Sequence, residues 1–149
     1  MPLNIVVDAN VVIKAYIPET LSERAESLFI KAEKTETSLS APDLIYPEIG
    51  NILWKKHRLR ELTVSEIEEI SREILNLPLK IIPSKSILQL AIDIGIKYGI
   101  AVYDAIYVSV AKIYDTKLVT ADERLVDKLS KTPLSKNIEW LGEYVDYGR

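Results

Sequence analysis

Four carboxylates far apart in the chain, Asp8, Glu48, Asp104 and Asp122, have the residue type and local setting of a hard-cation site. Ionised acids gathered within about 5 Å of each other repel by about 3 kcal/mol per pair at an effective dielectric near 20. A divalent cation relieves that repulsion, and an all-oxygen site with few protein ligands suits magnesium or manganese. Acid clusters of this kind carry out phosphodiester hydrolysis, where the cation stabilises charge on the phosphate and activates water. Composition argues against other chemistries. The chain has no cysteine, which excludes disulfides, thiolate metal sites and a cysteine nucleophile. Its only histidine, His57, lies in the charged run Lys55-Lys56-His57-Arg58, the pattern of a solvated helix end rather than of a serine–histidine pair.

Taken singly, each acid has a plainer role. Asp104 and Asp122 fit helix N-caps or favourable charges at helix starts, each worth about 1 kcal/mol. Asp8 fits a cap on the turn through Asn10, and Glu48 fits a carboxylate in the first turn of a helix. Their joint placement is what points to a site, and it depends on the elements that carry them.

Ile5-Val6-Val7 is a short β-branched run ending at Asp8, the pattern of a buried strand. The region after it turns helical. Leu21, Ala25, Leu28, Phe29 and Ala32 share one helical face, with Thr20 and Glu23 at capping-box spacing. Thr37 to Ser40 reads as a second strand, followed by a helix over Leu44 to Trp54 in which Pro47 sits near the tolerant start. Thr63 and Glu66 repeat the capping box, flanked by Leu62 and Ile67 as a hydrophobic staple, and predict a helix to about Leu75. Leu79 to Ile82 is a third strand, closed by Pro83. Ile87, Ala91, Ile94 and Tyr98 mark a helix stopped by Gly99. A helix from about Tyr103 to Tyr114 is apolar nearly all round and should be buried. Lys117 to Thr120 is a fourth strand, Leu125, Val126 and Leu129 stripe another helix, and Ile138 to Leu141 is a last strand before a polar and aromatic tail.

Short strands alternating with amphipathic helices predict an α/β fold with a parallel sheet covered on both faces, because parallel strands need crossover connections. Ligands bind such sheets beyond the carboxyl ends of the strands. Asp8 follows the first strand, Asp122 follows the fourth in Val119-Thr120-Ala121-Asp122, Glu48 lies in the first turns after the second, and Asp104 opens the buried helix.

With 149 residues, 48% of them hydrophobic and 28% charged, the chain has the size and composition of one globular domain over residues 1–149. No repeat, low-complexity tract or linker divides it. The net charge of -3 argues against coating nucleic acid by bulk electrostatics while leaving room for an enzyme that engages a short stretch of RNA. The N-terminus shows no basic region leading into a cleavable apolar stretch. The longest apolar run, Ile100 to Ala111, is too short to span a bilayer and contains Asp104, so the expectation is a cytoplasmic protein without membrane association.

The segments Val6-Val7-Asp8-Ala9-Asn10-Val11, Pro47-Glu48-Ile49-Gly50-Asn51, Tyr103-Asp104-Ala105-Ile106-Tyr107 and Thr120-Ala121-Asp122-Glu123-Arg124-Leu125 resemble, in order and spacing, the successive motifs of PIN-domain ribonucleases, and most nearly the VapC-type toxins. The resemblance covers nearly the whole chain. It implies a three-layer α/β/α sandwich with a central parallel sheet, and metal binding (magnesium or manganese) by Asp8, Glu48, Asp104 and Asp122. Thr120 would be a supporting hydroxyl, and Asn10, where many relatives have serine or threonine, would stand close behind. The implied activity is endoribonuclease cleavage leaving a 3′-hydroxyl and a 5′-phosphate. The implied partners are an RNA substrate, a cognate antitoxin laid across the active groove, and a second copy of the chain in a homodimer. Lys14, Lys55, Lys56, Arg58, Arg60 and Arg124 are candidates for meeting RNA phosphates. Asp127, inside the last helix, reads as solvent-facing. Apolar residues from Leu44 to Trp54 exceed what one buried helix face requires, and some of them are candidates for the antitoxin contact.

Two other readings compete. One is a PIN-like binding module whose acidic groove only receives a basic segment; the presence of all four acids counts against it. The other is a phosphotransfer enzyme on a similar sheet. A dehalogenase-type phosphatase wants an aspartate where Asn10 stands, a response-regulator receiver wants an acidic pair before the first aspartate's turn and a lysine after the last strand, and no glycine-rich nucleotide loop is present.

Overall fold

The computed structural model describes residues 3–34 and 36–144, so residues 145–149 of the polar and aromatic tail lie outside the described part. Five strands, β1 (Leu3–Val7), β2 (Thr37–Pro42), β3 (Leu79–Ile82), β4 (Lys117–Thr120) and β5 (Ile138–Trp140), form one sheet in the order β3-β2-β1-β4-β5. Every pairing is parallel. The seven α-helices among the described residues are α1 (Ala9–Tyr16), α2 (Ser22–Glu33), α3 (Ile45–Arg58), α4 (Val64–Leu75), α5 (Leu88–Tyr98), α6 (Val102–Ile113) and α7 (Glu123–Leu129). The chain winds outward from β1 to β2 and β3, then returns to β4 on the other side of β1 and continues to β5. Right-handed crossovers therefore place α1 to α4 on one face and α5 to α7 on the other, which gives the expected three layers.

The core follows from this arrangement. Ile5, Val6 and Val7 are buried because β1 is central and covered on both faces. Helix α6 packs on β1, β2 and β4, and its residues Ala105 to Ala111 are all buried, which explains why its sequence lacks a polar face. No helix among the described residues is by itself long and apolar enough to cross a membrane; α5 and α6 reach that composition only as a pair bent by 113°.

Strand and helix bounds agree closely with the sequence reading, with two differences. The first is a separate helix, α1, directly after β1, capped by the Asp8 side chain accepting from the Val11 N–H at 3.0 Å. The second concerns the start of α2. Thr20 and Glu23 do not form the expected capping box; the N-cap is Leu21 in the left-handed region (φ 70), and Ser22 Oγ instead accepts from the Glu19 N–H and donates to the Ile17 carbonyl. The turn out of α1 supplies those partners, and a spacing rule cannot see it. The second capping box is present in full, with Thr63 and Glu66 bonding each other's backbone N–H groups at the start of α4.

Candidate active site

The strand order reverses between β1 and β4, and the crevice at their carboxyl ends is where an open parallel sheet binds ligands. Val7 pairs with Val119, so the next residues along, Asp8 and Thr120, leave the sheet side by side. Helices α3 and α6 approach from opposite faces and bring Glu48 and Asp104; the turn after β4 brings Asp122. All four acids line one pocket of about 190 Å³, together with Asn10, Asn51, Tyr107 and Thr120.

Each side chain is held by identifiable contacts. Asp8 uses Oδ1 to cap α1 and receives the Thr120 hydroxyl on Oδ2 at 2.5 Å. Thr120 is fully buried, and its hydroxyl oxygen also accepts from the Asp122 backbone N–H at 3.1 Å, which couples the two strand-end acids. Asp122 caps α7 through the Leu125 N–H at 3.2 Å. The plainer role as helix cap is thus real for Asp8 and Asp122, and it fixes their orientation in the pocket. Asp104 is not a cap: Ala101 holds that position in α6, with no side-chain bond, and Asp104 lies in the first turn facing the pocket. Glu48, in the first turn of α3, accepts from the Tyr107 hydroxyl at 2.6 Å through Oε1.

Tyr107 also lines the site, although in the sequence it stands out only as the end of the Tyr103–Tyr107 motif. Its signal lies in the spacing Asp104-x-x-Tyr107, which puts both side chains on one face of α6. A tyrosine in the buried stretch of a mostly apolar helix needs a partner for its hydroxyl, and Glu48 is that partner.

Burial, reinforced by neighbouring negative charge, raises the carboxyl groups of Asp8, Glu48 and Asp104. Burial pushes Asp8 up from 3.8 to about 6; the Thr120 and Val11 hydrogen bonds oppose this, while the charges of Glu48 and Asp122 add to it. Glu48 is raised by burial and by Asp104, against the lowering effect of the Tyr107 hydroxyl. Asp104 is raised by burial and by Asp122, with Lys128 pulling the other way. Burial and the Glu48 carboxylate push the Tyr107 hydroxyl far above the usual range, so it stays a donor.

Among the described residues no three acidic side chains are grouped closely enough to hold one ion directly. They share an open pocket rather than a preassembled cage. Magnesium commonly keeps several waters and takes one or two carboxylates together with substrate phosphates, and an all-oxygen pocket with three upward-shifted acids suits such an ion.

The remaining sequence candidates lie elsewhere. Lys14 and Lys56 are paired with Glu19, and Lys56 also with Glu61. Arg58 sits 5.2 Å from the Trp54 ring centroid, and His57 places Nδ1 3.0 Å from the Leu62 carbonyl oxygen at the end of α3, as a helix-end residue would. None of Lys14, Lys55, Lys56, Arg58 and Arg60 lines the acid pocket. Asp127 is exposed. Of the apolar run on α3, Ile45, Ile49 and Leu53 are buried, Leu44, Tyr46 and Ile52 pack partly against the core, and Trp54 is half exposed.

A family model described as PIN domain matches residues 5–131 of this chain. The chain belongs to the PIN-domain family. This PIN domain is 34% identical over 128 residues to the curated protein Ribonuclease VapC3 of Pyrobaculum aerophilum, a match covering 85% of the chain and 95% of that relative. Its fold is similar to the crystal structure of PAE2754 from Pyrobaculum aerophilum (TM-score 0.70, 24% identity, covering 94% of this chain and 85% of the other). It is also similar to a chain of a toxin–antitoxin complex from Klebsiella pneumoniae (TM-score 0.59, 15% identity, covering 90% and 94%). These two likenesses bear on fold. The three-layer α/β arrangement is therefore that of the PIN domain.

Proposed function

We propose that this PIN domain is a metal-dependent endoribonuclease, with Asp8, Glu48, Asp104 and Asp122 as the residues that hold a magnesium or manganese ion and Thr120 as their supporting hydroxyl. The observation that carries this reading is the meeting of the four acids, from four separate segments, in one pocket at the sheet's switch point. The similarity to a curated ribonuclease over most of the chain supports it.

A bound divalent cation would supply positive charge to the scissile phosphate and lower the pKa of a nearby water. The chain's own residues prepare the site for it. Thr120 keeps Asp8 turned toward the pocket while Val11 holds its other oxygen, and Tyr107 occupies one oxygen of Glu48, leaving Oε2 for the pocket. Asp104 and Asp122 line the same pocket as Glu48 and add negative charge that would favour a cation and, with it, a phosphate. The raised carboxyl groups lose their protons most readily when that cation is present.

The test is cleavage of a generic single-stranded RNA with magnesium, with manganese and with chelator, beside Asp104→Asn. Metal-dependent cleavage leaving 3′-hydroxyl and 5′-phosphate ends, lost in the variant, is the expected result. Absence of metal-dependent cleavage by both proteins would make the domain a binding module and overturn the enzyme reading, while equal cleavage by both would remove Asp104 from the site.

We further propose that the chain is the toxin of a toxin–antitoxin pair and forms a homodimer in the cytoplasm. The family membership and the fold shared with a chain of a toxin–antitoxin complex support this. Light scattering of the purified chain, and co-purification with the product of a neighbouring small gene, check it.

A further inference from the structure

The acid pocket shares a wall with a second groove. Asp104, Asp122 and Leu125 line both, and the second groove, of about 340 Å³, is completed by the α5–α6 connection at Gly99 to Ala101 and by Arg124 and Lys128 on α7. Arg124 and Lys128 are four residues apart and so share one face of the helix. Burial of Leu125 and Leu129 fixes the rotation of α7, which leaves both basic side chains exposed on the groove side. Among the described residues neither forms an ion pair.

An RNA strand approaching a chain of net charge -3 meets four carboxylates at the site of cutting. Its neighbouring phosphates need cations close by, because single-strand binding is dominated by phosphate neutralisation. Among the described residues no basic side chain lines the acid pocket, and Arg124 and Lys128 are the only basic ones lining the groove beside it. A guanidinium matches a phosphate with two parallel hydrogen bonds, and an ammonium beside it adds a point charge.

We propose that the groove between α7 and the α5–α6 connection is a phosphate subsite for the RNA backbone, in which Arg124 and Lys128 hold a phosphate next to the one that is cut. This rests on the ribonuclease reading and adds where the strand runs. Because the contacts are to phosphate, the subsite positions the strand without selecting its sequence.

The experiment compares Arg124→Ala/Lys128→Ala with Lys85→Ala/Lys136→Ala, which removes the same charge at exposed positions outside both grooves. Binding of a labelled single-stranded RNA oligonucleotide in magnesium is followed by fluorescence anisotropy in the Asp104→Asn background, across a series of salt concentrations. The α7 double variant is expected to bind several-fold more weakly on any sequence, and its slope of log affinity against log salt should fall by about 0.7 for each charge removed. With Asp104 intact, its KM for cleavage should rise while kcat stays nearly unchanged, the signature of lost uniform binding. An Arg124→Lys variant should keep the salt slope. Cleavage with unchanged KM in the α7 double variant, or an equal loss in the control pair, overturns the subsite alone. An unsubstituted protein that neither binds nor cleaves RNA overturns the ribonuclease reading and the subsite together.

Discussion

One hydroxyl ties two of the acids together, since Thr120 donates to Asp8 and accepts from the Asp122 backbone. Thr120→Val keeps the shape and removes both bonds. It is expected to lower stability by about 1 kcal/mol, seen as a lower melting temperature of the metal-free protein, with a larger loss of RNA cleavage because Asp8 is no longer held. Tyr107→Phe removes the donor to Glu48 and leaves the ring packed. Manganese affinity by titration calorimetry should fall several-fold and cleavage by about ten-fold, equivalent to about 1.4 kcal/mol; unchanged affinity would show that Glu48 needs no positioning. Asp8 itself gives a pH prediction. Its carboxyl is raised from 3.8 to about 6, so the folded state binds the proton more tightly than the unfolded chain. The associated stability is fully present below about pH 4 and is lost as the pH rises through about 6. Metal-free Asp8→Asn should therefore be more stable than the unsubstituted protein at pH 7.5, with the gap closing toward pH 4, as measured by denaturant titration at each pH.

At the scale of elements, the site depends on where α6 and α7 begin. Helix α5 stops at Gly99, whose φ of +68° is left-handed, and only three residues later α6 starts toward Asp104. A Cβ at Gly99 would meet no atom within 4 Å, so Gly99→Ala tests backbone conformation alone. The expected cost is about 1 kcal/mol in thermal stability, accompanied by reduced cleavage if the connection shifts Asp104. Loss of stability without loss of cleavage would show that α6 is positioned by its packing on the sheet rather than by the turn. The capping box of α4 formed as its residue types predict because Thr63 and Glu66 need nothing beyond their own helix. The box expected at Thr20 did not form, because Ser22, reaching back to Ile17 and Glu19, satisfied the turn from outside the helix.

For the whole molecule, cation binding and folding are linked. An ion that binds only the folded state raises the melting temperature with its concentration. Magnesium or manganese should raise it, by more at pH 7.5 than at pH 5, because Asp8, Glu48 and Asp104 all have carboxyl groups raised by burial and must release protons to receive the ion. Thermal melts with metal and with chelator at both pH values check this. A metal effect independent of pH would mean that the raised carboxyls are not the ones that receive the ion.

Sequence patterning by itself determined the alternation of strands and helices, the burial of α6 and the candidate acids, because hydrophobic periodicity and helix-start chemistry are local properties of consecutive residues. Helix α1 was harder to read, since eight residues with both Val11 and Val12 buried give no clean polar face. Tertiary structure alone decided that β1 lies between β2 and β4, so that Asp8 and Thr120 emerge together. It also decided that Tyr107 reaches Glu48, that Lys56 is occupied by Glu19, and that Arg124 and Lys128 face a groove. Each of these joins residues tens of positions apart or depends on which way a helix is rolled against the sheet, and that is set by packing of the whole core rather than by any local pattern.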